Sequence, residues 1–444
     1  MRGGTLLLLS AMKFQKTAAI MSVGDELTLG QTLDTNSKWL AQRLLEVGIT
    51  ARIHLTVADE LDAQRAAFKQ LSATCDVIVC TGGLGPTADD LTREALALAT
   101  DDQLVIDEVS QSQVQAWFTS RGRVMADINN AQALRPSRGM SLPNLQGTAP
   151  GLYASITRGE EQVGVFCLPG PPREMIPMFE AQVLPRLRPD PDHQVQIRTL
   201  HCFGIGESDL AMRLGLLMER NHRPLVGTTA SGGVVSIRIR HEGPMDDDAV
   251  RALSGVERAC QKAAGEYYFG TDDSSFAMTI VRLLQERAQT LATVESCTGG
   301  LLAAMLTDVP GASTVYAGGL VVYSNEQKHA MLNISLERFA PGGPGAVSAE
   351  TAGDMALCGR EKLGATHALS ITGVAGPGGG SKAKPVGTVW ISRASSDRTA
   401  DTRCFEFSGD RYNIRLWAAM CAMAMLRYKL LEIDGPLLRQ SVRV

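Results

Sequence analysis

Apolar and polar positions divide the chain into short β-type runs and longer helical ones. "TAAIMSVG" (17–24), "CDVIVCTGG" (75–83) and "QVGVFCLPG" (162–170) are strand-like, and "TNSKWLAQRLLEVG" (35–48) and "DLTREALALAT" (90–100) between them have helical spacing. This alternation predicts an α/β domain with parallel strands over residues 17–182. In such a sheet the ligand crevice lies at the carboxyl ends of the strands, here the loops "GDELTLGQTLDTN", "TGGLGPTADDLT" and "LPGPPREM".

A proline and charge cluster at 184–194, "LPRLRPDPDHQ", predicts a linker. After it, residues 195–265 predict a small α+β domain, in which the alternation of "GGVVSIRIR" puts Val235, Ile237 and Ile239 on one face. A third α/β domain is expected over residues 270–432. It opens with a helix that Ser274 or Ser275 caps and whose stripe is Phe276, Ile280, Leu283 and Leu284. The last twelve residues read as a loose tail.

Composition narrows the function. With 444 residues, a formal charge of −4 and 20% charged residues, the chain has no basic excess for broad binding to nucleic acid. Its nine scattered cysteines form no CxxC pair or zinc spacing, which fits reduced thiols in a cytoplasmic protein. No run approaches the roughly 20 apolar residues of a membrane span. "MRGGTLLLLSAM" is cut short by Lys13 and Lys16, so residues 1–16 read as an extension.

Candidate chemistry concentrates in the third domain. "TLATV" predicts a strand and "GLLAAMLTDV" a helix, which makes "ESCTGG" (295–300) the turn between them. Gly299 and Gly300 allow close approach, and the free N–H groups there, with the Ser296 and Thr298 hydroxyls, suit an anion. A plain helix cap with Cys297 packed inside is the alternative. In "VVYSNEQKHAML", Tyr323 and Lys328 fall at one sheet edge, where a buried lysine becomes a base and a solvated one does not. The glycine-rich loop after Thr372 and Gly373 is either a ligand approach or a surface hairpin. Arg411 and Arg415 share a helical face, ready to clamp a phosphate or to pair with surface acids.

The ordered set "ESCTGG", "YSNEQK", "GAVSAET", "TGVAGPGGG", "KPVGTVW" and "GDRYNIR" resembles the C-terminal domain of the CinA family, the nicotinamide mononucleotide deamidases. "SVGDELTLGQTLDTN", "TGGLGPTADDLTREALA", "NNAQALRP" and "LPGPPREM" resemble that family's N-terminal domain, which shares the fold of molybdopterin-cofactor biosynthesis proteins. One stretch departs: "FAPGGPGAVS" carries extra Gly and Pro before "GAVS".

The resemblance implies hydrolysis of the nicotinamide mononucleotide amide without a cofactor. Lys328 would be the base, Tyr323 its relay partner and a serine the nucleophile, with Ser313 placed ahead of Ser296 and Cys297 below both. Thr298, Gly299, Gly300, Thr372, Gly373, Arg411 and Arg415 would hold substrate. For the N-terminal domain it implies cleavage of ADP-ribose, dependent on a divalent metal ion held by Asp89 and Asp90, with Gly82, Gly83 and Asn36 binding substrate. Asp25, Glu26 and Glu174 are further candidates, and a capping role for Thr87 and Asp90 is the plain alternative. The expected partners are small nucleotides, in a homodimer without membrane or direct nucleic-acid contacts. A nucleotide- or pterin-binding scaffold without turnover in the N-terminal domain, serving competence or the DNA damage response, stays open.

Overall fold

A computed structural model describes residues 14–396 and 400–444, so most of the expected N-terminal extension lies outside the described residues. The described residues divide into two compact units, one up to residue 196 with 241–249 and the other 197–240 with those from 250 onward.

The strands of the first unit are β1 (Thr17–Val23), β2 (Thr50–Val57), β3 (Val77–Thr81), β4 (Leu104–Ile106), β5 (Leu134–Pro136), β6 (Met140–Leu142), β7 (Gly151–Arg158) and β8 (Glu161–Leu168). Six form one sheet in the order β2-β1-β3-β8-β7-β6, while β4 and β5 pair separately. The first four in that order run parallel, and β7 and β6 add antiparallel. Every residue of β1 and β3 is buried, as expected for central strands covered on both faces. Their side chains alternate between two cores. Ala19, Met21 and Ile78 face one, with α2 (Leu61–Thr74) and α3 (Thr92–Ala99). Ala18, Ile20 and Val79 face the other, with α1 (Thr35–Glu46) and α4 (Pro172–Met178). The expected linker is tied to this unit instead of running free. Gln15 N–H donates to the Arg188 carbonyl at 2.7 Å, and Lys16 pairs with Asp190 at 2.9 Å.

β9 (Gln194–Phe203), β10 (Leu225–Ser231), β11 (Val234–Gly243) and β12 (Tyr268–Thr271), mostly in the second unit, form a sheet in the order β10-β11-β9-β12, with β10 antiparallel to β11 and β12 antiparallel to β9. One face, with Val235, Ile237 and Ile239, packs under α5 (Glu207–Leu214) and α6 (Asp247–Ala264). Phe203 and Phe269 on the other face pack, tilted or edge-on, against Phe276 and Trp417 of the following region. Arg427 fastens the same junction, donating to the Glu266 and Tyr268 carbonyls at 2.6 Å each.

The last sheet comprises β13 (Leu291–Glu295), β14 (Tyr316–Val321), β15 (His367–Gly373), β16 (Thr388–Ser395), β17 (Ala400–Glu406) and β18 (Gln440–Arg443). Their order is β14-β13-β15-β16-β17-β18, with the first three parallel and the rest antiparallel. Around it pack α7 (Phe276–Glu286), α8 (Leu301–Thr307), α9 (Asn325–Leu332), α10 (Ala349–Leu363) and α11 (Arg411–Leu430). The tail expected to be loose is ordered by polar contacts that no apolar pattern announces. Asp401 accepts from Arg403 and Arg443, and Arg403 also donates to the Gly435 carbonyl and to Gln440 Oε1, both at 3.0 Å. Among the described residues no helix is long and apolar enough to cross a membrane.

Candidate functional site

In the last sheet the carboxyl ends of β13, β14 and β15 meet at the "ESCTGG" turn. Glu295, the final residue of β13, is fully buried, and its carboxylate accepts from Gly300 N–H at 3.0 Å, Leu302 N–H at 3.1 Å and Ala303 N–H at 2.8 Å. The chain's own anion thus fills the amino end of α8, where sequence reasoning expected a ligand. Gly299 N–H goes to the Ser296 carbonyl and Leu301 N–H to that of Thr298, so neither Gly299 nor Gly300 offers a free amide. Both instead supply the positive φ, +59° and +91°, that the turn requires. Among the described residues the Thr298 N–H has no partner and the Cys297 N–H none beyond its own thiol, and the buried Thr298 Oγ1 has none.

Lys328 lies one turn into α9, which Ser324 caps by accepting from Gln327 N–H at 3.2 Å. This start, directly after β14, returns the lysine over the strand ends, where it is 1% exposed. Its Nζ donates to the Val322 carbonyl at 3.0 Å and the Tyr323 carbonyl at 3.3 Å, and lies 3.1 Å from Ser296 Oγ. Burial lowers its pKa, and the opposing effects of Cys297 and Glu326 are smaller. A neutral amine that donates two N–H groups to these carbonyls would have its lone pair available to the serine. Burial pushes the neighbouring Cys297 thiol up to about 12, so it stays protonated at neutral pH.

Tyr323 and Arg411 complete one rim. The Arg411 guanidinium donates to the Tyr323 hydroxyl and to the Gly376 carbonyl at 2.8 Å each. Arg415 donates to the Thr298 carbonyl at 2.6 Å. Neither arginine has a carboxylate partner among the described residues. Thr372 is buried with its hydroxyl on the Ala346 carbonyl at 2.7 Å, so it ties two loops together. Gly373 is needed for packing, since a Cβ there would meet Val389 Cγ2 at 2.7 Å.

Ser313 sits elsewhere. It lies exposed in the turn Ala312–Thr314 just before β14, whereas Lys328 follows that strand's carboxyl end. A strand of six residues spans about 20 Å. The structure therefore brings Ser296, not Ser313, to the lysine. "GAS" offered a small, accessible serine, but register alone shows which sheet edge it occupies. Sequence reasoning missed Glu295. The available signal was an acid ending an apolar strand just ahead of a helix start.

In the first unit the loops after β1, β3 and β8 enclose a cavity of 390 Å³. Glu26, Asp59, Asp89, Asp90 and Glu174 line it with Gly82 and Gly83, and no cationic side chain does. Asp90 is spent on its own loop, accepting from Gly85 N–H at 2.7 Å, Thr87 N–H at 2.9 Å and the Thr87 hydroxyl. The expected capping box is not formed, because the helix begins after Leu91 with no side-chain cap and Asp90 ties only its own loop. Asp89 is exposed at the rim. Asn36 is not in the lining. It cross-links the loops, donating to the Gly170 carbonyl at 2.7 Å and Thr81 Oγ1 at 3.2 Å. Asp59, which sequence reasoning missed, is locked to Asp25 by reciprocal N–H to carboxylate bonds of 2.9 and 3.1 Å. Its pKa is raised by burial first, and then by Asp25, Glu26 and Asp89, with one backbone hydrogen bond opposing. Excess negative charge of this kind fits a cation, but no group of three or more metal-ligating side chains is assembled among the described residues.

By sequence, residues 19–189 match the family described as "Probable molybdopterin binding domain", 197–270 the "Damage-inducible protein CinA KH domain" and 273–430 the "CinA C-terminal domain". A Caldicellulosiruptor bescii protein bearing a competence-damage inducible name is 39% identical over 415 residues, covering 94% of this chain and 99% of that one. A "CinA-like protein" of Dictyoglomus thermophilum is 37% identical over 417 residues, with 93% and 99% covered. Among solved structures, the competence/damage inducible protein CihA from Agrobacterium tumefaciens is 36% identical, covers 35% of this chain and 93% of its own, and has a TM-score of 0.34.

Proposed function

Because this chain belongs to the CinA family, with a molybdopterin-biosynthesis-like N-terminal domain and a KH-like middle domain, we propose that it recycles pyridine nucleotides. Its C-terminal domain hydrolyses the amide of nicotinamide mononucleotide to nicotinic acid mononucleotide and ammonia. The observation that carries this reading is the buried Lys328 amine 3.1 Å from Ser296 Oγ.

Neutral Lys328 takes the hydroxyl proton as Ser296 Oγ bonds to the carboxamide carbon. The N–H groups of Cys297 and Thr298 receive the oxyanion. Collapse of the tetrahedral species breaks the C–N bond, the lysine returns its proton to the leaving nitrogen, and ammonia departs. Water, deprotonated by the same amine, then cleaves the acyl-serine and restores both groups. Arg411 and Arg415, free of carboxylates, take the phosphate, and Tyr323 joins Arg411 to the lysine, its hydroxyl accepting from Arg411 and its carbonyl from Lys328. Single-turnover ammonia release tests the assignment. Loss in Ser296→Ala with retention in Ser313→Ala is expected, and the reverse pattern overturns it.

For the N-terminal domain the proposal is metal-dependent cleavage of ADP-ribose to AMP and ribose 5-phosphate. Asp89, Glu26 and Asp59 would hold the cation, which when bound neutralises charge on the diphosphate. The uncompensated acids support this reading. The use of Asp90 as a loop cap, with no assembled ligand triad among the described residues, favours a second one, in which this domain binds a nucleotide or pterin without turnover. AMP formation from ADP-ribose by the full chain with and without divalent metal separates the two.

A further inference from the structure

The glycine loop after β3 is held from behind in an unusual way. Four consecutive carbonyls, those of Gly82, Gly83, Leu84 and Gly85, are all engaged by two adjacent residues of α3. Thr92 Oγ1 donates to the Gly82 carbonyl at 3.0 Å and Thr92 N–H to the Gly83 carbonyl at 3.2 Å. Arg93 donates to the Leu84 carbonyl at 2.9 Å and the Gly85 carbonyl at 2.5 Å. Thr92 is fully buried, Arg93 is 2% exposed, and neither lines the cavity.

A trans peptide points its N–H opposite to its carbonyl. The carbonyl of Gly82 shares a peptide with the N–H of Gly83, and that of Gly83 with the N–H of Leu84. Holding both carbonyls on Thr92, beneath the loop, therefore turns these two N–H groups toward the cavity that Gly83 and Leu84 line. Neither has a hydrogen-bond partner among the described residues. The next amide, Gly85 N–H, is already taken by Asp90, which closes the donor row after two members. Gly83 sits at φ +65°, and a Cβ there would lie 2.3 Å from Thr92 Oγ1, so side chain and glycine are fitted to each other.

Arg93 adds charge to this geometry. Its guanidinium is buried without a direct carboxylate partner among the described residues, and its Nε has none of any kind. Burial lowers its pKa, and the acids Glu94 and Asp90 oppose this only in part. A buried cation lacking a direct counter-ion is costly. Behind the wall of this acid-lined cavity it marks the glycine loop as the side on which an anion is favoured.

We propose that Thr92, seconded by Arg93, is a positioning residue that sets the Gly83 and Leu84 N–H groups as a donor pair for the diphosphate of a nucleotide ligand. The inference rests on the nucleotide reading of this cavity and adds a residue that never touches the ligand. It also separates two functions within one acidic loop: amides receive the phosphate oxygens, and carboxylates face the cation.

The test uses the full chain and inorganic pyrophosphate with magnesium, titrated calorimetrically. Thr92→Val keeps the shape and the backbone N–H but removes the hydroxyl donor, and is expected to weaken pyrophosphate binding about tenfold. Thr92→Ser restores it. Replacing the Gly83–Leu84 amide by an ester deletes the Leu84 N–H while leaving the Thr92 hydroxyl in place, and should weaken binding to a similar extent. An unchanged circular dichroism spectrum and first-unit unfolding midpoint report that each variant is folded. Wild-type affinity in Thr92→Val or in the ester, or no rescue by serine, overturns the proposal, as does a wild type that binds no pyrophosphate. Thr92-dependent binding in a wild type that leaves ADP-ribose intact removes the pyrophosphatase reading and leaves this one standing.

Discussion

Two strand-to-helix turns rich in glycine, Gly82–Pro86 and Ser296–Gly300, look alike in sequence and are built in opposite ways. In the first, buried residues draw the carbonyls inward and leave amides open to the cavity. In the second, Glu295 occupies the helix amides, and the turn keeps only the Cys297 and Thr298 N–H groups beside one hydroxyl and one amine. Glycine content marks a close backbone approach in both places. The partner of the glycines decides whether the approaching group is a ligand or the protein's own carboxylate.

The largest effect should come from Ser296→Ala, which removes the proposed nucleophile. Ammonia release is expected to fall by roughly 10⁴-fold or more, while pyrophosphate binding by the other unit is unchanged. Lys328→Met should cost about 10²–10⁴-fold in the same assay. It also carries a sign that can be checked. With its folded pKa lowered, the lysine binds fewer protons folded than unfolded, so wild-type stability should rise with pH from that lowered pKa up to the ordinary lysine value. The variant should lack this rise and be more stable at neutral pH by about 1 kcal/mol, read from urea midpoints. The wild-type deamidation rate should rise with pH through the same lowered pKa, because only the neutral amine accepts the serine proton. A pH-independent rate would show that the lysine does not act as the base.

Glu295→Gln sharpens the comparison from the other side. The amide still accepts one or two N–H bonds but loses the charge facing the helix, and a stability loss of about 1–3 kcal/mol is expected. If the variant also gains affinity for phosphate at the vacated amides, the two turns differ by this carboxylate alone. The smallest effect belongs to the acids after Gly85. Asp90→Asn should loosen its loop by about 1 kcal/mol in thermal unfolding and leave metal dependence intact, whereas Asp89→Asn should shift the metal requirement of ADP-ribose cleavage without changing stability. The opposite assignment would make Asp90 the cation ligand after all.

Much of this was readable in advance, and what was missed has a common cause. Periodicity located β1, β3, β8, β11 and β13, because buried parallel strands and a half-buried alternating strand leave strong apolar signatures. It also put Lys328 and Tyr323 at one sheet edge. It could not rank Ser296 above Ser313, since both follow small-residue stretches and only the parallel register of β13 and β14 assigns them to opposite edges. Glu295, Asp59 and Thr92 were invisible for a related reason: each acts on backbone groups, and a backbone acceptor or donor has no letter in the sequence. Asp90 was assigned to metal because spacing cannot distinguish a carboxylate facing solvent from one already surrounded by its own loop.

The tail strand β18 has a consequence for handling the molecule. It closes the open side of β17, whose unsatisfied backbone groups would otherwise form a sticky border. A fragment ended at residue 432, where the apolar pattern stops, would uncover that border and strip Asp401 of Arg443. Such a fragment is expected to self-associate through strand pairing and to lose activity as its concentration rises, although every group proposed to touch the nucleotide is still present.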